Sequence, residues 1–215
     1  MCRYFPAEGT GCTKALQEQQ VMATKLAERI VRKLIAVSVV EEGDRELYIY
    51  GFFLLITRFF FFLVTVVFGF SLKIPYESVV FYIVFILMRS YAGGVHAKTE
   101  MACTVWTTVA MGSAVVIIKI LEVLNRKTLL ILIFSDLCIL RITPLDTNEK
   151  PLTEQDKRRY RKICYVMVAT CNLIIIAGSV LSIPLLCYPV VCSMLLEAIL
   201  LVIGKNIMGK NYESV

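Results

Sequence analysis

The sequence predicts an all-α polytopic membrane protein with about six transmembrane helices. Hydrophobic residues make up 58% of its 215 residues, which exceeds the roughly 45–50% found in soluble domains. From residue 163 to residue 203 the chain contains a single charged side chain, that of Glu197. As one helix this segment would be about 60 Å long, twice the ~30 Å hydrocarbon core of a bilayer. It must therefore cross the membrane, turn and return.

The first element is amphipathic and precedes the crossings. Between residues 21 and 37, apolar side chains recur at helical spacing on one face, and charged side chains lie opposite. This pattern predicts an interfacial helix on the inner leaflet. We therefore divide the chain into a cytoplasmic leader with this helix (1–46) and a single transmembrane domain (47–215). The apolar face comprises Met22, Leu26, Ile30, Leu34 and Val37, and the charged face Lys25, Glu28, Arg29 and Arg32.

Six apolar segments follow this helix. Four are long enough to cross a bilayer fully, and two are short enough to be either thin crossings or re-entrant elements. The turn between the last two falls at Ser182-Ile183-Pro184, because proline ends helices. The long segments are 47–72, 101–121 and the two halves of 163–203, and the short ones are 74–91 and 128–142.

The distribution of cations predicts the orientation. With the N-terminus inside, the segments 1–46, 89–100, 141–162 and 204–215 face the cytoplasm. They carry 18 of the 23 Lys and Arg residues, whereas the three outer segments carry 4. Lys and Arg accumulate on the cytoplasmic side of inserted helices. We therefore predict a multi-pass protein of the cytoplasmic membrane with both termini in the cytoplasm.

The segment from Arg89 to Cys103 contains the only histidine of the chain, His96. A thiol nucleophile needs a base to form the thiolate and an acid to protonate the leaving amine, and one imidazole can do both. Gly93 and Gly94 can break the preceding helix and allow the histidine segment to fold over the start of the next helix. The segment 89–103 is therefore a candidate catalytic segment.

Cys103 is predicted to lie about one turn into the next helix. The positive end of the helix dipole favours a thiolate and a developing oxyanion there. Backbone N–H groups at this helix start, or Lys98, are candidate oxyanion donors. Glu100 and Asp146 are candidates for a third group, although a first-turn acid and a turn former have ordinary explanations too. The spacing alone also fits an interfacial histidine and a packing cysteine, so both interpretations stay open.

Three motifs occur in order along the chain. They are Tyr50-Gly51 after an acidic segment, Arg89 with Tyr91-Ala-Gly-Gly-Val-His96 and Cys103, and Pro144-Leu-Asp-Thr-Asn-Glu-Lys-Pro-Leu152 in the cytoplasmic loop 143–162. Together they resemble the accessory gene regulator protein B (AgrB) family of membrane peptide-processing enzymes, over about residues 20 to 205.

The resemblance implies a cysteine endopeptidase that processes a quorum-sensing propeptide. It implies Cys103 as the nucleophile, His96 as its partner and Lys150 as a substrate contact. The substrate would be a short peptide with an amphipathic helix and an acidic C-terminal tail. Removal of the tail would leave a thioester, which an internal Cys or Ser of the peptide resolves into a thiolactone or lactone. The resemblance also implies a homodimer; we expect no cofactor, metal ion or nucleic-acid partner.

Two charged features have alternative interpretations. Arg58 lies near the middle of its span, where a cation costs about 2.5–3.5 kcal/mol. We expect it either to pair with Glu197 or to contact a substrate carboxylate. The basic run 157–162 either fixes topology and anchors headgroups or attracts an acidic peptide tail. The alternative functions are a small peptide transporter and a non-enzymatic scaffold.

Overall fold

Seven α-helices make up most of the part of the chain that the structure describes. The computed structural model describes residues 11–93, 100–124, 128–145, 153–181 and 183–212. Within these ranges there is no β-strand, and the all-α prediction is confirmed. The helices are α1 (Gly11–Ala36), α2 (Arg45–Ser71), α3 (Pro75–Ala92), α4 (Glu100–Leu124), α5 (Thr128–Ile142), α6 (Glu154–Val180) and α7 (Pro184–Tyr212), and a short 3-10 helix (Glu42–Asp44) precedes α2.

The helix ends follow local sequence signals. Both α3 and α7 begin at a proline, which is favourable in the first turn because that N–H has no intrahelical partner. The turn predicted before Pro184 is confirmed, since α6 ends at Val180. Thr153 caps α6: its Oγ1 accepts a hydrogen bond from the Asp156 N–H at 3.2 Å. Each of the six predicted apolar segments thus forms one helix, α2 to α7.

Three of these helices, α2, α6 and α7, are long and apolar enough to cross a bilayer. In α4 the apolar stretch within the described side chains is shorter, Val105–Leu121. The two segments predicted to be short are α3, with 18 residues, and α5, with 15. The protein is therefore a polytopic helical membrane protein, and crossing by α3, α4 and α5 stays a prediction.

The chain divides into two compact units. The first contains α1, α2 up to Val64 and α4 up to Val109. In this unit α1 buries small side chains, Ala23, Ala27 and Val31, whereas Met22, from the predicted apolar face, is 67% exposed. Leu26, from the same predicted face, is also exposed. A groove of about 470 Å³ between α1 and α2 is lined mainly by apolar side chains.

The second unit contains the remaining parts of α2 and α4 together with α3, α5, α6 and α7. Its central element is α7, which packs against α3, α5 and α6. Buried polar atoms of α7 bond to neighbouring backbones: Ser193 Oγ donates to the Phe81 carbonyl at 2.9 Å, and Cys192 Sγ to the Ala114 carbonyl at 3.3 Å. Such bonds give these polar groups the hydrogen-bond partners that lipid hydrocarbon cannot provide.

Gly69 provides a test of packing in this second unit. A Cβ at this position would lie 2.7 Å from Ser78 Cβ and 3.1 Å from the Ile74 carbonyl oxygen. We therefore expect Gly69→Ala to lower the free energy of unfolding by about 1–3 kcal/mol through overpacking. Thermal unfolding in detergent measures this change. Gly51→Ala is the control, since apart from its chain neighbours and the backbone of its own helix no described atom lies within 4 Å of its Cβ position. Equal stability of the two variants would contradict the prediction.

Candidate functional site

The structure describes part of the predicted site. Cys103 is the fourth residue of α4, which begins at Glu100, so its predicted place one turn into a helix is confirmed for the backbone. Arg58 lies within α2, as predicted, with an exposed side chain. The pairing of Cys103 with its histidine stays a prediction. Gly94, His96, Lys98, Asp146 and Lys150 lie outside the described residues.

The predicted break before the histidine is confirmed at Gly93. The helix α3 ends at Ala92, and Gly93 has φ +81° and ψ −167°. Only glycine adopts this region without strain. A Cβ on Gly93 would also lie 2.6 Å from the carbonyl oxygen of Leu145. Both the backbone conformation and the available space therefore require glycine here.

Two of the three sequence motifs meet at this turn. The Leu145 N–H donates a hydrogen bond of 2.9 Å to the Ala92 carbonyl oxygen. Leu145 belongs to the Pro144–Leu152 motif, and Ala92 to the motif that contains His96. Residues more than 50 positions apart in the chain are thereby joined backbone to backbone at the end of α3.

The side chain of Arg89 connects the same turn to α7. Its Nη1 donates to the Gly93 carbonyl oxygen at 2.9 Å and lies 3.6 Å from Glu197 Oε1. Arg89 is 23% exposed, whereas the Glu197 side chain is fully buried at 0%. Within the second unit the partner of Glu197 is therefore Arg89, whereas its suggested pairing with Arg58 stays a prediction. The reason is tertiary: α3 packs directly against α7.

A further contact reaches the basic run. The rings of Tyr91 and Tyr160 pack edge to face with centroids 6.0 Å apart, a favourable aromatic arrangement. Tyr160 lies within the run 157–162 at the start of α6. The end of α3, the start of the Pro144 motif, the first turns of α6 and the middle of α7 therefore lie together in the second unit.

Sequence reasoning missed how the buried charges are paired. Besides Arg89 and Glu197, Asn172 Nδ2 donates to Asp136 Oδ2 at 3.1 Å and joins α6 to α5. The available signal was a lone charge in a long apolar stretch, which indicates a buried partner without identifying it. In the part of the chain that the structure describes, no group of three or more His, Cys, Asp or Glu residues could hold a metal ion.

Comparison with known proteins supports the motif resemblance. The sequence profile of the family described as Accessory gene regulator B matches residues 23–203. AgrB-like protein 2 of Clostridium perfringens strain 13 is 26% identical over 145 residues, which are 61% of this chain and 68% of that protein. An AgrB-like protein of Clostridium perfringens strain SM101 is 23% identical over 149 residues, 66% and 70% of the two chains. No solved structure matches significantly.

Proposed function

The chain belongs to the accessory gene regulator B family, and on that premise we propose that it is a membrane-embedded cysteine endopeptidase that cuts a quorum-sensing propeptide. Family membership and the long apolar helices support the coarser statement, a membrane protein with a role in quorum-sensing peptide processing. The thiol chemistry, the substrate and the residue roles are the content of the proposal.

The observation that carries the proposal is the position of Cys103 in the first turn of α4. The first N–H groups of a helix have no intrahelical acceptor, and they form the positive end of the helix dipole. A cysteine there is favoured as a thiolate, and the oxyanion of an attacked carbonyl is stabilised by the same groups. A cysteine that served packing alone would gain nothing from this position.

The proposed reaction transfers an acyl group twice. The Cys103 sulfur attacks the scissile carbonyl carbon, while His96 accepts the thiol proton and returns it to the leaving amine of the acidic tail. The product is a thioester. A Cys or Ser side chain of the same peptide then attacks that carbonyl, its proton passes through His96 to the Cys103 sulfur, and the ring closes. Exclusion of water from the site favours ring closure over hydrolysis.

Other predicted residues have supporting roles in this proposal. Lys98 adds positive charge for the oxyanion, Glu100 or Asp146 orients the histidine, and Lys150 contacts the peptide. Arg58 either forms an intramembrane ion pair or contacts a substrate carboxylate. The assembly is a homodimer in the bacterial cytoplasmic membrane, with both termini in the cytoplasm. These roles are supported by the motifs and the charge distribution.

The direct test is reconstitution of the purified protein in liposomes with a synthetic precursor and no other protein. We expect intact mass spectrometry to detect the precursor fragment attached to the protein as an adduct that hydroxylamine removes. A scaffold that recruits another protease would give no cleavage. A transporter would accumulate uncut precursor inside the vesicles. Either result would contradict the proposed endopeptidase.

A further inference from the structure

We infer that Glu197 is a positioning residue, which acts through Arg89 to fix the backbone turn at Gly93 that leads into the His96 segment. This inference rests on the proposed function, because it assigns Glu197 a role in placing the proposed base. It concerns only groups within the second unit of the protein.

Burial of the Glu197 carboxylate is unfavourable in free energy. Its side chain is fully buried in α7. Among the described residues neither carboxylate oxygen has a hydrogen-bond donor. A buried carboxylate is unfavourable unless a cation compensates it, and the guanidinium of Arg89, 3.6 Å from Oε1, supplies that charge. The electrostatic attraction therefore holds the end of the Arg89 side chain toward α7.

Arg89 also bonds to the backbone at the end of α3. The nitrogen that faces Glu197, Nη1, also donates to the Gly93 carbonyl oxygen at 2.9 Å. Gly93 has left the helix, so its carbonyl lacks a helical donor and needs another partner. One nitrogen thus links a buried carboxylate on α7 to the peptide group at which the chain turns away from α3.

The bond from Arg89 restrains the backbone conformation at Gly93. Glycine can adopt many backbone conformations, so a turn at Gly93 is flexible unless its surroundings restrain it. Two separate restraints act here: the Arg89 bond to the Gly93 carbonyl and the Leu145 bond to the Ala92 carbonyl. His96 follows three residues later in the chain. A change of the backbone dihedral angles at Gly93 would therefore alter the direction in which the chain continues toward His96.

A merely structural ion pair is the alternative role, and Asp136 provides the comparison. Asp136 is also a carboxylate within an apolar helix of the second unit, and its Oδ1 is buried without a donor among the described residues. Its partner, Asn172, lies on α6 and outside the Gly93 turn. If buried carboxylates serve packing only, neutralising either one should have similar consequences.

The experiment compares Glu197→Gln with Asp136→Asn, two shape-matched removals of a charge. We expect Glu197→Gln to slow adduct formation at saturating precursor about 10–100-fold, because a misplacement of about 1 Å near the reacting groups can cost about 10²-fold in rate. We expect Asp136→Asn to change that rate less than about threefold. In Glu197→Gln the rate of adduct formation should also begin to rise at a higher pH than in the wild-type protein. The reason is that a displaced histidine no longer helps to form the thiolate. Glu197→Asp should restore part of the rate.

A second measurement does not depend on activity. Hydrogen exchange followed by mass spectrometry should show faster exchange in peptides covering residues 90–96 for Glu197→Gln, but not for Asp136→Asn. Unchanged exchange and an unchanged pH profile would overturn the positioning role, as would equal losses of rate and thermal stability in both variants. Failure of the wild-type protein to form any adduct would instead contradict the proposed function. If Glu197→Gln does not fold, Arg89→Lys takes its place in the comparison, because it keeps the cation and changes the donor to the Gly93 carbonyl oxygen.

Discussion

Replacement of Cys103 with alanine is expected to abolish precursor cleavage, with a loss of at least about 10⁴-fold, because the proposed nucleophile that forms the thioester is removed. The backbone N–H groups at the start of α4 remain in this variant. Precursor binding should therefore persist while both the adduct and the released tail disappear. Cleavage is followed by chromatography of the tail, and binding by retention of labelled precursor on the immobilised protein.

The matched control is Cys138→Ala. Cys138 is a half-exposed free cysteine on α5, away from the 89–103 motif in the sequence, and its replacement should leave cleavage and adduct formation unchanged. Cleavage that survives in Cys103→Ala would contradict the assignment of the nucleophile. An adduct that moves to Cys138 would identify nonspecific acylation of exposed thiols.

Gly93→Ala is expected to have the second largest effect, a loss of activity of about 10²-fold or more together with lower stability. At φ +81° and ψ −167° an alanine is strained by about 1–3 kcal/mol. Its Cβ would also lie 2.6 Å from the Leu145 carbonyl oxygen. The turn must therefore change shape, and a misplacement of about 1 Å near the reacting groups can cost about 10²-fold in rate. Adduct formation and thermal unfolding measure the two effects.

Gly43→Ala controls for the general effect of adding a methyl group. Apart from its own local backbone, no described atom lies within 4 Å of the Cβ position of Gly43. We therefore expect this variant to keep the wild-type rate and stability. Wild-type activity in Gly93→Ala would show that the turn tolerates other conformations. The proposed coupling between the turn and the histidine would then be wrong.

The helices could be predicted because their signals are local. Long apolar stretches, Pro75 and Pro184 at helix starts, and the glycine pair at residues 93 and 94 each act over a few residues. Segments 74–91 and 128–142 correspond to α3 and α5 almost residue for residue. The helical position of Cys103 followed from the same kind of signal, since the glycine pair precedes the apolar segment 101–121, which forms most of α4.

Pairings between helices could not be predicted in this way. Glu197 was recognised as a lone buried charge, but its partner depended on which helix packs against α7, and nothing in the spacing of Arg58 and Arg89 decides between them. The packing of α1 shows the same limit. The pattern predicted a helix, and α1 is a helix. However, the residues that it buries, Ala23 and Ala27, were not part of the predicted apolar face; they are small side chains that allow close helix packing.

The central position of α7 has a consequence for biosynthesis. Translation proceeds from the N-terminus, so α7 emerges from the ribosome after α3, α5 and α6, although these three helices pack around it. Until α7 has been synthesised, these earlier helices therefore lack the helix that they pack against, and the Arg89 guanidinium lacks the Glu197 carboxylate. Packing of the second unit can thus be completed only after the last helix has been made, and its earlier helices expose unpaired surfaces until then.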